Sequence, residues 1–250
     1  MYQKFLLLVF SGLVSINAFS QSSNSELTNV TRDMINLGGM RIPTNGNGTL
    51  FGIKGPRGNV VGNPYLDSTW HTGSIKLFQK IGPPGREGDS IANVPLRLDL
   101  HSNEVEVQVN NTKEIRAVSG NQVRFFTIEG AERRVFMSTR QFRSEDNLQG
   151  FVELVLQGRI SLVEYAKLNI IKPSYNEALG TGTKDTKITK SIQFYVVKGN
   201  TLFPIGASRK KLLESMGDRA DDVEKFIKSN DLSLKSRGDM AKIFTYYNSL

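Results

Sequence analysis

Val94-Pro95-Leu96-Arg97-Leu98-Asp99-Leu100-His101-Ser102-Asn103-Glu104-Val105-Glu106-Val107-Gln108-Val109 alternates apolar and polar residues on both sides of a Ser-Asn pair. A period of two is the signature of an extended strand with one face inward, and Ser-Asn is turn chemistry. Placing Ser102-Asn103 at the turn pairs Leu100 with Val105, Leu98 with Val107 and Leu96 with Val109. The apolar residues then share one face, and Arg97, Asp99, His101, Glu104, Glu106 and Gln108 share the other. A slip of one residue scrambles both faces, which pins the register. Asp99 falls opposite Glu106, a like-charge pair that destabilises by roughly 0.2–1 kcal/mol. A three-residue turn at Asn110–Thr112 sets Ile115 beside Val107 and Arg116 beside Glu106, so the polar row reads as a charge-balanced, solvated outer face.

Outward from this hairpin, alternating runs recur at near-regular spacing from Ser74: Glu114–Val118, Gln122–Ile128, Arg133–Thr139, Phe151–Gln157, Ile160–Ile170 and Ser191–Val197. Gly120-Asn121 and Gly130-Ala131 separate some of them, and residues 173–190 read as an exposed loop. Many short strands with turns between them predict a sandwich or a barrel-like meander. After Pro204 the period changes. Ser208 is placed to cap a helix carrying Leu212, Leu213 and Met216, stopped by Gly217. Asp218 caps the next, with Val223, Phe226 and Ile227 inward. Ser236 with Asp239 opens a third that carries Met240, Ile243, Phe244 and Tyr247 at helical spacing. The expected fold is mainly β (antiparallel meander, sandwich or barrel-like) with a small C-terminal α-helical segment. The expected division is a signal peptide at 1–20, a Gly/Ser/Asn-rich flexible arm at 21–63, a β domain at 64–206, and a helical segment at 207–250 packed on it.

The leader is the clearest functional signal. Lys4 precedes an apolar stretch from Phe5 to about Ile16, and Ala18-Phe19-Ser20 supplies a small-x-small cleavage site before Gln21. A run of roughly twelve apolar residues suits a secretory signal and falls short of the roughly 20 that span a bilayer. The expectation is export by the Sec route to the periplasm or the exterior, with no transmembrane helix in the mature chain. There is no cysteine, which removes lipid attachment at a Cys, disulfides, thiolate catalysis and Cys-ligated zinc. The strands lack the aromatic girdles of an outer-membrane barrel.

The formal net charge is +8, from 32 Lys+Arg against 24 Asp+Glu, and the positives are interspersed with acids. Another envelope protein, a lipid or a glycan are the partners this balance admits. No basic-aromatic module marks a nucleic-acid partner. The chain has no G-x-S-x-G, H-E-x-x-H or Walker loop, and no catalytic, metal-binding or cofactor-binding residue is nominated. The most distinctive segment is Pro64-Tyr65-Leu66-Asp67-Ser68-Thr69-Trp70-His71. Aromatics beside polar groups stack on sugars, which makes Tyr65, Trp70 and His71 the candidate ligand-binding residues, with Trp70 alternatively a core anchor. His101, near Asp99 and opposite Glu104, forms a carboxylate–imidazole cluster of the kind that binds a metal or moves a proton, or else a plain hairpin tip.

Gly62-Asn63-Pro64-Tyr65-Leu66 with Trp70 and Gly73, then Val94-Pro95-Leu96-Arg97-Leu98-Asp99 with Glu104-Val105, and the tail from Lys210 to Leu250, together resemble a type of exported protein of uncharacterised function from Gram-negative bacteria. The resemblance implies no biochemical role and carries no functional residues. Asp67-Ser68-Thr69 and Asp89-Ser90-Ile91 are also similar to an Asp-Ser/Thr-apolar O-glycosylation signal of some such bacteria. The sequence thus points to an exported, non-enzymatic envelope or secreted protein that binds a partner or is structural. The alternatives are a small apolar-ligand carrier with a β-barrel cavity and a carboxylate-dependent hydrolase.

Overall fold

The computed structural model describes residues 58–109, 114–176, 178–206 and 208–250. The expected signal peptide at 1–20 and most of the expected arm at 21–63 lie outside the described residues. Twelve strands form one sheet: β1 (Val60–Val61), β2 (His71–Ile81), β3 (Gly88–Asp99), β4 (Glu104–Gln108), β5 (Ile115–Ser119), β6 (Val123–Ile128), β7 (Arg134–Ser138), β8 (Arg143–Ser144), β9 (Phe151–Leu156), β10 (Ser161–Ile171), β11 (Thr186–Lys198) and β12 (Thr201–Pro204). Three helices follow: α1 (Arg209–Met216), α2 (Ala220–Ser229) and α3 (Arg237–Ser249). The chain is therefore mainly β with a small helical region near its C-terminal end.

The sheet runs β5-β4-β3-β2-β6-β7-β9-β10-β11-β12-β8, antiparallel except where β1 joins β11 and β12 joins β8. Between β3 and β11 lie β2, β6, β7, β9 and β10, yet one short segment touches both. The Asn59 carbonyl accepts from Thr186 N–H at 2.9 Å, whereas Leu66 N–H donates to the Leu98 carbonyl at 2.9 Å. Residues 59–66 reach at most about 28 Å when extended, so the sheet must curl back on itself in a barrel-like manner. The enclosed face is filled by Ile75, Leu96, Leu98, Val105, Phe126, Phe136 and Phe151. The Phe126 and Phe136 rings stack at 4.6 Å, with Phe151 edge-on to Phe126 at 5.0 Å.

Strand alternation accounts for this core. In β2, Gly73, Ile75 and Leu77 point inward while the intervening residues are more exposed. Gly73 must be glycine, because a Cβ there would collide with the Thr127 carbonyl and sit 2.9 Å from Leu96 Cδ2. Next to it the β2–β3 ladder shifts register, and Asn93 takes a positive φ of 54°, the local geometry of a bulge.

The β3–β4 hairpin corrects the sequence reading in two respects. Leu98 pairs with Val105 and Leu96 with Val107, so the loop is Leu100–Asn103 and the register differs by two residues from the expected one. Asp99 sets this loop: its Oδ1 accepts from His101 N–H at 2.7 Å and from Ser102 N–H at 3.2 Å, an Asx turn. A two-residue shift keeps every side chain on its face but changes its partner, so Arg97, not Asp99, faces Glu106. Beyond the hairpin, Ala117 lies opposite Glu106 and Arg116 opposite Val107. The polar row is also not solvated. Arg97, Asp99 and Glu106 are 5%, 0% and 1% exposed, because residues 63–70 fold over them.

At the other end, α1–α3 cover β10–β12. Leu212, Met216, Val223, Ile227, Met240, Ile243, Phe244 and Tyr247 meet Leu162, Phe194, Val196 and Ile205 in one cluster. Both serine caps form: Ser208 Oγ accepts from Lys211 N–H and Ser236 Oγ from Asp239 N–H. Asp218 instead lies within a 3-10 turn, Gly217–Arg219, and α2 begins after it. Phe226 stacks on Tyr246 at 4.1 Å. A Ser236→Ala protein is expected to lose about 1 kcal/mol in denaturant unfolding through the lost cap. The sequence reading misses β1, β8, β12, the first half of β3 and the early start of β11 at Thr186, which cuts short the expected 173–190 loop.

Candidate functional site

Two assemblies of polar side chains were candidates for a site. The first is the segment around the sequence-nominated residues. Tyr65 is 0% exposed, and its ring and that of Trp70 lie on the Arg97 guanidinium, at 3.9 and 4.4 Å from ring centre to Arg97 Cζ. Arg97 Nε donates to Glu106 Oε2 at 2.7 Å and its Nη2 to the Tyr65 hydroxyl at 3.0 Å. Burial pushes the Glu106 carboxyl up against the opposing pull of Arg97. From β11, Lys190 Nζ donates to the Tyr65 carbonyl at 2.5 Å. These groups are occupied by one another and fasten residues 63–70 to the sheet.

The His71 ring bonds within its own turn. Its Nε2 lies 2.9 Å from both Asp67 Oδ2 and Thr69 Oγ1. Thr69 and Asp67 meet the same ring nitrogen, so they do not form a relay through the imidazole. Burial works against the Asp67 charge, but hydrogen bonds from Thr69 and His71 hold the carboxyl at about 2. A depressed folded-state value stabilises above the ordinary aspartate range and loses that contribution as pH falls from there through about 2. Acid unfolding followed by circular dichroism should therefore show a shallower pH dependence over that window in Asp67→Asn. An unchanged acid transition would contradict the assignment. Ser68 and Ser90, the hydroxyls of the two Asp-Ser signals, are both exposed.

The second assembly is an open cleft of about 550 Å³. It arises because β9 pairs with β10 only from Glu153–Leu156. The chain before β9 turns away, with Gly150 accepting from Thr139 N–H at 2.9 Å, while β10 runs on to Ile171. Residues 146–149 line it together with Tyr165–Leu168 and Ile170 of β10, and Leu100, His101 and Asn103 of the β3–β4 loop add to the lining. The Tyr165 hydroxyl donates to the Gln149 carbonyl at 2.9 Å. The Tyr195 hydroxyl lies 2.8 Å from Asp146 Oδ2 and 3.4 Å from Gln193 Oε1. The two tyrosine rings meet edge-on at 6.4 Å. Burial raises both phenols, reinforced at Tyr195 by the Asp146 carboxylate, so both remain neutral donors over the physiological range. Lys167 and Gln193 are exposed on the lining.

This cleft suits binding. Its lining holds a single carboxylate, Asp146, and a single imidazole, His101, whereas carboxylate-based glycoside hydrolysis needs two acids. The acids that do converge, Glu153 and Glu164, face each other on β9 and β10 but are closed in. Arg134 binds Glu153 in a fork at 2.9 and 2.7 Å, and Arg237 bonds Glu153 and Glu164, each at 2.6 Å. Burial opposes the Glu153 charge, yet the two arginines hold its carboxyl below the usual range, while burial raises Glu164. Asp99 is engaged in the hairpin turn, and no three metal-ligating acids or imidazoles converge among the described residues.

Sequence reasoning nominated none of Tyr165, Tyr195, Asp146, Lys167 or Gln193. They come from separate runs, and only the splaying of β9 from β10 brings them together. Comparison with protein-family models, curated proteins and solved structures gave no match. No helix among the described residues is long and apolar enough to cross a membrane.

Proposed function

We propose that this chain is an exported, non-enzymatic binding protein of the bacterial envelope or its surroundings, and that the cleft between β9 and β10 is its ligand site. The observation that carries the reading is the cleft itself: about 550 Å³, within the range of binding sites, open to solvent, and lined by phenol, amide, carboxylate and ammonium groups. Such a lining favours a polar ligand. The curled sheet, by contrast, is filled by three phenylalanines, which gives an apolar cargo little room. Export rests on the leader sequence, and the resemblance to exported Gram-negative proteins supports it.

Two measurements test this. N-terminal sequencing of the protein recovered from an exporting cell should begin at Gln21. Immobilised mature protein should retain a component of a solubilised envelope fraction, and Lys167→Ala/Gln193→Ala, changed only at exposed lining residues, should lose it. Equal retention by that variant would remove the cleft from the function.

A further inference from the structure

The long wall of the cleft is a strand edge. β10 pairs with β11 along its whole length, from Ser161↔Val197 to Ile171↔Lys187. Its other edge meets β9 only through Glu164. Among the described residues, the backbone of Ala166–Ile171 makes no hydrogen bond on that side. Alternate residues of a strand direct both N–H and C=O to the same edge, so among the described residues this stretch presents a ladder about 20 Å long that no strand pairs. Exposed edges are normally short, covered or heavily charged because they template strand addition. This one instead lines a groove together with residues 146–149.

We propose that the cleft takes an extended peptide segment of a partner protein, which adds to β10 as a strand; this rests on the cleft being the binding site. The chemistry of the occupant follows from the surroundings. Lys167 is the ammonium of the lining and is exposed, and residues 165–173 and 186–194, the paired arms of β10 and β11, carry no acid. Asp146, the lone carboxylate of the lining, accepts the Tyr195 hydroxyl. Leu100, Leu168 and Ile170 supply apolar contact on the lining. An incoming strand therefore matches best when acidic residues alternate with apolar ones and proline is absent. Backbone pairing supplies affinity and the alternate side chains supply selectivity, as in other strand-addition complexes.

The test uses the full mature protein and a displayed library of random ten-residue peptides. Selection should enrich acidic–apolar alternation without proline. A synthetic selected peptide should bind, slow amide exchange at residues 166–171, and lose binding when N-methylated at alternate residues in one phase but not in the other. Lys167→Glu should weaken it by about tenfold. Equal binding of both N-methylated forms would overturn strand addition. Binding of an arrayed glycan that is lost in Lys167→Ala/Gln193→Ala would also overturn it while leaving the cleft as the site. Self-association of Lys167→Val without peptide binding would mark Lys167 as an edge guard and overturn the proposal. If neither the peptide nor the envelope component depends on the cleft residues, both readings fail together.

Discussion

Replacing Arg97 with alanine is expected to destabilise the protein by about 3–5 kcal/mol, the cost of leaving a buried charge without its partner. Glu106 is 1% exposed and its Oε2 lies 2.7 Å from Arg97 Nε, so the substitution takes the charged partner from a buried carboxylate. The substitution also removes the slab between the Tyr65 and Trp70 rings, a cation–π arrangement worth roughly 0.5–2 kcal/mol. Arg97→Lys restores the charge but not the planar fork and should fall between the two. Arg97→Leu combined with Glu106→Leu should recover much of the loss, because no charge is then buried unpaired. The pH dependence gives an independent check. Burial already raises the Glu106 carboxyl, and removing Arg97 takes away the main pull in the opposite direction. The Arg97→Ala deficit should be largest above the folded-state value and shrink as pH falls toward the ordinary carboxyl range. Guanidinium unfolding across pH measures both; a deficit under about 1 kcal/mol, typical of an exposed pair, would show that the network is not buried in solution.

The second large effect is expected at Arg237. It opens α3 and bonds Glu153 and Glu164, each at 2.6 Å, and those carboxylates stand opposite each other on neighbouring strands. Arg237→Ala leaves two adjacent acids, 3% and 12% exposed, with only Arg134 to offset them. A loss of about 3 kcal/mol follows, at the lower end of the range for a broken buried pair because Arg134 remains. The damage should be local first. Since Arg237 ties α3 to the sheet, amide exchange at Met240–Tyr247 should accelerate more than at β6 and β7. Equal acceleration everywhere would mean that the helices and the sheet open as one unit. Arg237→Lys should retain part of the stability, since one ammonium replaces a guanidinium that bonds both acids.

The fold class was legible because alternation and helical spacing report burial on one side of an element. Leu212, Met216, Val223 and Ile227, and Met240, Ile243, Phe244 and Tyr247, were placed inward by period alone, and they are. The hairpin shows where this stops. Alternation says which residues share a face, and Leu96, Leu98, Val105 and Val107 do. It does not say what covers the other face, so Arg97, Asp99 and Glu106 looked like a solvated row. The covering segment was itself the one singled out by its aromatics, and the Tyr65 and Trp70 rings lie on the Arg97 guanidinium. Nor can local pattern locate a strand that separates from its neighbour. The β9–β10 split depends on Gly150 turning toward Thr139, a contact that gathers Asp146, Tyr165 and Tyr195 from distant positions.

The most direct test of the central claim, that the β9–β10 cleft is where this protein binds its partner, is photo-crosslinking in the exporting cell. A photoreactive residue is placed at position 167 in the cleft and, separately, at position 115 on the outer strand β5, where Ile115 is 41% exposed. Discrete adducts from position 167, competed by the selected peptide and absent from position 115, are the predicted result. Equal adducts from both positions, or adducts from position 115 alone, would contradict it.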